Sequence, residues 1–142
     1  MAESIRKKIL KDRLAVLEAM PSLVTKIIGS FEPSKLDKPI GALIPVRCSP
    51  IPGAYGKSKR SLIVITRIVV DEERQSAGFE LEDLLFEVEA AMLNDKTCGG
   101  LAESVQIQDT DWRYLDKDYP QAGADIPWQI QFETALGDPS KR

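Results

Sequence analysis

The run Leu62-Ile63-Val64-Ile65-Thr66-Arg67-Ile68-Val69-Val70 is the segment that most restricts the fold. Apart from Thr66 and Arg67 it is apolar, and β-branched side chains dominate it, which suits a strand. A strand that is apolar at consecutive positions belongs in the middle of a sheet covered on both faces. In a chain of 142 residues, helices can cover one face of such a sheet. A second subunit is one way to cover the other.

The remaining elements follow from periodicity. Residues Ala2 to Met20 read as a helix. Ile5, Ile9, Val16 and Met20 form one stripe at 100° per residue, and Leu10, Leu14 and Leu17 form a second beside it. Either the helix is deeply embedded in its own domain, or one stripe meets a neighbouring subunit. Pro21 ends it, because proline has no N–H to donate and clashes with the preceding turn. Leu23 to Ile28 and Ile40 to Val46 read as strands, with Pro39 and Pro45 pushing the latter toward an edge or a bulge. Cys48 to Ser61 carries Pro50, Pro52, Gly53 and Gly56 and reads as a long loop.

A second helix runs from Glu80 to about Leu93, with Leu81, Leu84, Leu85, Val88 and Met92 at core spacing. Glu80, Glu82 and Asp83 occupy its first turn, where the macrodipole favours negative charge. Gly99 and Gly100 offer left-handed backbone after the helix. Two alternating strands close the chain. In Ser104 to Gln108, Val105 and Ile107 oppose Ser104, Gln106 and Gln108. In Ile126 to Thr134, Ile126, Trp128, Ile130 and Phe132 oppose Gln129, Gln131 and Glu133. Asp109 to Asp125 reads as an acidic, aromatic loop, and residues 137–142 as a flexible tail behind one domain spanning 1–136. The expected fold is α+β: two helices on one face of a mixed, mostly antiparallel sheet of four or five strands, in the order α-β-β-β-α-β-β.

Chemistry is sparsely signalled. The chain has no histidine, which removes the commonest general base and the commonest zinc ligand. Cys48 and Cys98 are far apart, lie in no CxxC arrangement, and read as small apolar core residues. The net charge of −3, from 22 acidic and 19 basic residues, argues against a dedicated nucleic-acid binder. No apolar run approaches the ~20 residues that span a bilayer. We find no catalytic motif, metal set or cofactor signature.

Five groups remain as candidates. Glu82, Asp83, Glu87 and Glu89 make an acidic helix face, read either as a solvated surface or as a cation or acid/base site. Asp109, Asp111, Asp116 and Asp118 lack EF-hand spacing. Lys57, Lys59 and Arg60 form a basic loop, either solubilising or aimed at phosphate or an acidic partner. Trp112, Tyr114 and Tyr119 either anchor an interface or fold back onto the core. Gln106, Gln108, Gln129 and Gln131 give the last strands a neutral amide face, which can be buried against a partner without desolvating a charge.

The segment that ends its helix in Leu93-Asn94-Asp95, runs through Thr97-Cys98-Gly99-Gly100-Leu101 and enters Val105-Gln106-Ile107 resembles the tail terminator (tail completion) proteins of long-tailed bacteriophages. Asp109-Thr110-Asp111 and the closing strand Ile130-Gln131-Phe132 extend the likeness, and the order of elements carries it over nearly the whole chain. The Pro/Gly-rich loop before Leu62 departs from the shorter family pattern. The resemblance implies a non-enzymatic virion protein, assembled in the host cytoplasm. Its protomers would form a hexameric ring, monomeric until the tube tip templates it. That ring would cap the tail tube, stop its polymerisation and face the head connector. DNA would pass through the lumen without sequence-specific binding. On this reading the interface residues are Gln106, Gln108, Gln129, Gln131, Trp112 and Tyr114. A head–tail connector or neck protein, and a small metal- or ligand-binding α/β domain, are the alternatives.

Overall fold

The computed structural model describes residues 3–32, 35–52, 57–71, 77–115, 121–135 and 137–141. Asp116, Asp118 and Tyr119 lie outside them. The elements are α1 (Ile5–Glu18), β1 (Thr25–Ile28), β2 (Ile40–Ile51), β3 (Lys57–Asp71), α2 (Ala77–Asn94), β4 (Ser104–Ile107), β5 (Asp111–Leu115) and β6 (Gln121–Ala135). The fold is α+β, with both helices packed on one face of a mixed six-stranded sheet.

The sheet order is β1-β2-β3-β6-β4, and β5 also pairs with β6. Only β1 and β2 run parallel; every other pairing is antiparallel. The apolar run sits in β3, between β2 and β6, at the centre of the sheet. Leu62, Val64, Thr66, Ile68 and Val70 are buried on the helix side, while Ile63, Ile65 and Arg67 are half-buried on the opposite face. On β6 the period of two holds as expected: Ile126, Trp128, Ile130 and Phe132 are buried among the core residues. The bulge expected near Pro45 is present as a register shift between Pro45 and Arg47.

Three expectations need correction. The segment from Cys48 to Ser61 is not one long loop, since β2 continues to Ile51 and β3 starts at Lys57. The acidic, aromatic loop contains β5, which lengthens the sheet beyond the expected five strands. The final strand starts at Gln121 and not at Ile126. In each case backbone pairing with a neighbour outweighs the local turn and charge signals.

The wide apolar surface of α1 is turned into its own domain. Ile5, Ile9, Leu17 and Met20 are buried, and Leu10, Leu14 and Val16 pack partly buried against the same core. Ser4 caps the helix, its Oγ accepting from Lys7 N at 3.1 Å. Residues read as a frayed tail make defined contacts: Ile5 N donates to Pro139 O at 2.8 Å, and Asp138 bridges to Ala135.

Candidate functional site

The strict alternation of β4 and β6 decides where the glutamines go. Gln106 pairs in register with Gln129, and Ser104 with Gln131, opposite the helix-side residues Val105 and Ile130. All four glutamines therefore gather on the helix-free face. Gln129 Nε2 donates to Ser61 Oγ at 3.0 Å, and Gln108 Nε2 approaches Gln129 Oε1 at 3.5 Å. Gln129 and Gln131 are half-buried, while Gln106 and Gln108 are exposed. Half-buried Ile44, Ile63, Ile65 and Pro127 share this face. Beside them Arg67 and Asp125, cross-strand partners, form a two-pronged ion pair at 2.7 and 2.9 Å. The bond to Asp125 raises the arginine pKa further.

Trp112 does not join the glutamines. Trp112 stands on β5 in register with Ala124, a helix-side position, and is 46% exposed. Tyr114 stands in register with Ala122 on the same strand. The candidate interface thus divides between two faces of the sheet.

The basic group divides as well. Lys57, Lys59 and Arg60 belong to β3, so alternation sends the lysines and the arginine to opposite sides. Both lysines lie beside Glu133, at 3.7 and 3.5 Å, and Lys59 also lies 3.8 Å from Glu103. Hydrogen bonding with Glu103, then the charges of Lys59 and Lys57, hold the Glu133 carboxyl below its ordinary range. Arg60 pairs with Phe132 on the helix side and lines a small cleft with Ser4, Arg6, Thr134 and Pro139. Its Nε is buried with no hydrogen-bond partner among the described residues.

The turn after α2 has a definite mechanism. Cys98, Gly99 and Gly100 all have positive φ, at 50°, 70° and 87°. The Asp95 carboxylate fills the turn, accepting from Thr97 N at 2.9 Å, Thr97 Oγ1 at 2.6 Å and Gly99 N at 2.7 Å. These bonds, the Thr97 hydroxyl first, lower its pKa to about 2. Cys98 is fully buried, and burial pushes its thiol up to about 11, so it serves as a core residue and not as a nucleophile. Cys48 is half-buried against the same core.

No group of three acidic or cysteine side chains among the described residues is placed to hold a metal ion. Glu82, Asp83 and Glu87 point outward along α2. No described helix is long and apolar enough to cross a membrane. What the sequence reading passed over lies on that same helix: Phe79 is 80% exposed and Phe86 72%. Two phenylalanines seven residues apart, off the core stripe, were the available signal.

No family model matches the chain, and no curated protein matches it. Among solved structures it is similar to a chain in the virion of a native gene transfer agent particle. That likeness has a TM-score of 0.43 and 10% sequence identity, over 92% of each chain.

Proposed function

We propose that this chain is a ring-forming structural protein of a phage-like tail, a terminator that caps the tail tube, stops its polymerisation and offers a surface for head–tail joining. The observation that carries the reading is the helix-free face of the sheet. Its centre is a half-buried field of isoleucine, proline and glutamine side chains around Ile63, Ile65, Pro127, Gln129 and Gln131. Neutral amides and aliphatic groups can be covered by a neighbour with little desolvation cost. The sheet has distinct ends, β1 on one side and β4 with β5 on the other, so contacts between copies can be head-to-tail and close by rotation into a ring. The terminator-like turn from Asp95 to Gly100 adds the sequence resemblance to this physical case.

The test is solution mass by light scattering across concentration and salt, followed by imaging of the chain mixed with purified tail tubes. Rings in solution, or rings seated on tube ends that no longer elongate, are the expected result. Tubes that keep growing, with connector complexes bound instead, would transfer the role to a neck protein. Binding to neither would overturn the reading.

A further inference from the structure

We propose that the cleft between the first turn of α1, the start of β3 and the end of β6 binds a phosphoryl group, free or as a small monoester. The cleft holds about 200 Å³ and is lined by Ser4, Arg6, Arg60, Phe132, Thr134 and Pro139. Pockets for drug-sized ligands begin at roughly 300 Å³, so this one suits a single compact group. Arg60 carries the argument. It stands on the helix side of β3 opposite Phe132, on the face where Leu62, Val64 and Ile68 are core residues. Two other arginines that the fold covers are matched: Arg13 by Asp12 and the Met92 carbonyl, and Arg67 by Asp125. Arg60 has no ion pair among the described residues, and its Nε is buried without a hydrogen-bond partner. A buried donor left unpaired is costly, and an anion that draws the guanidinium into the cleft removes that cost.

The helix end adds charge of the same sign. α1 has no acidic residue in its first turn, and Ile5-Arg6-Lys7-Lys8 follows its cap. Cations at this end oppose the macrodipole, and a bound anion would reverse that conflict. Glu3, ahead of the cap, is held by Lys11 at 2.7 Å. Asp138, next to Pro139, is taken by the Ser140 N–H and hydroxyl at 3.0 and 2.6 Å. Arg6 is exposed and has no ion pair among the described residues. Pro139 O takes the Ile5 N–H and Ser4 Oγ takes the Lys7 N–H, which leaves the Arg6 N–H and the Ser4 O–H to donate. Thr134, buried in the lining, brings a second hydroxyl. Two guanidinium groups and a helix terminus worth about half a charge match the near-dianion of a phosphoryl group at neutral pH. A single carboxylate would leave one arginine unmatched. Arginine's planar fork suits phosphate oxygens in particular. The site is independent of the ring reading above.

The test titrates the full chain, in chloride buffer at fixed ionic strength, with inorganic phosphate, glycerol phosphate and dimethyl phosphate. Calorimetry and melting temperature are the readouts. Inorganic phosphate should bind and raise the melting temperature, and dimethyl phosphate, a monoanionic diester, should not. Glycerol phosphate separates the two sources: its binding assigns the site to a monoester, and its exclusion to the free ion. Arg60→Met and Arg6→Met should each weaken phosphate binding about tenfold or more, as loss of a charge-assisted hydrogen bond does. Without phosphate, Arg60→Met should keep or raise the melting temperature, since it retains an apolar stem and removes the orphaned donor. Should that variant fail to fold, Arg6→Met, at an exposed helix position, decides the matter. Arg47→Met, exposed on the helix-free face, should bind phosphate as the wild type does. No binding of inorganic phosphate at tens of millimolar, an equal response to dimethyl phosphate, undiminished binding by both cleft variants, or an equal loss in Arg47→Met would each overturn the site.

Discussion

The Arg13 guanidinium on α1 donates through Nη1 to the carbonyl of Met92 near the end of α2, at 2.9 Å. Arg13 is 1% exposed, and its Nε and Nη2 are held by Asp12 at 3.1 and 2.7 Å. A cation is thus buried where the second helix leaves carbonyls without intrahelical partners and where its dipole is negative. Arg13→Ala should destabilise the fold by about 2–4 kcal/mol, through a lost charged hydrogen bond and lost packing. Urea unfolding measures this, and a loss under about 0.5 kcal/mol would show the clasp to be incidental.

A second polar contact is sealed in the core. Trp128 Nε1 donates to Thr66 Oγ1 at 3.0 Å, and the Thr66 hydroxyl donates onward to Ile126 O at 3.3 Å. Thr66→Val keeps the shape and orphans the indole N–H, for an expected cost of about 1–3 kcal/mol. Thermal denaturation followed by Trp fluorescence reads it.

Gly41 lies directly beneath the Leu23 side chain, whose Cδ1 occupies the space a β-carbon would need. Gly41→Ala should cost about 1–3 kcal/mol by overpacking. Leu23→Ala is also destabilising, since Leu23 is 2% exposed. Together the two should cost less than their sum, because the smaller side chain admits the new methyl. Strict additivity in the double-mutant cycle would contradict the contact.

Asp95 sets an acid dependence. Its folded pKa of about 2 is below the ordinary carboxylate value, so the ionised form is the one the fold favours. Its contribution is complete above the unfolded pKa near 4 and is lost as pH falls toward 2. The wild type should therefore exceed Asp95→Asn in stability by a constant margin above about pH 5, and the margin should close between pH 4 and 2. A margin that persists at pH 2 would place the effect in the turn's shape and not in its charge.

Gln129→Lys with Gln131→Lys tests the helix-free face. Stability of the single chain should change by under about 1 kcal/mol, since both side chains are only half-buried. Assembled mass should fall. Full-mass rings from this variant would assign the glutamines to solvent.

Much of this fold is legible because side-chain period and burial coincide. Ile126 to Phe132 alternates without exception, and Pro45 marks its bulge by chemistry alone. The hairpin ends and β5 are illegible for a shared reason. Lys57 to Ser61 is polar at strand positions beside Pro/Gly punctuation, and Asp111-Trp112-Arg113-Tyr114-Leu115 sits among aspartates that favour turns. Pairing with β6 overrides both. Arg13 was readable in principle, since it stands at the i+4 spacing of Ile5, Ile9 and Leu17 in the middle of an apolar stripe. Strand alternation puts the glutamines on one face, whereas a loop reading of Lys57 to Arg60 hides the alternation that separates Arg60 from the two lysines.

β1 covers β2 only as far as Leu43, so the stretch of β2 from Ile44 to Ile51 has no strand beside it on that side among the described residues. Pro45 and Pro50 fall within that stretch, and each removes a main-chain donor. Another strand arriving here would meet an interrupted ladder and gain few main-chain bonds. This flank therefore resists open-ended strand pairing, and a neighbour that settles on it must do so mainly through side chains, where shape and charge can reject a wrong fit.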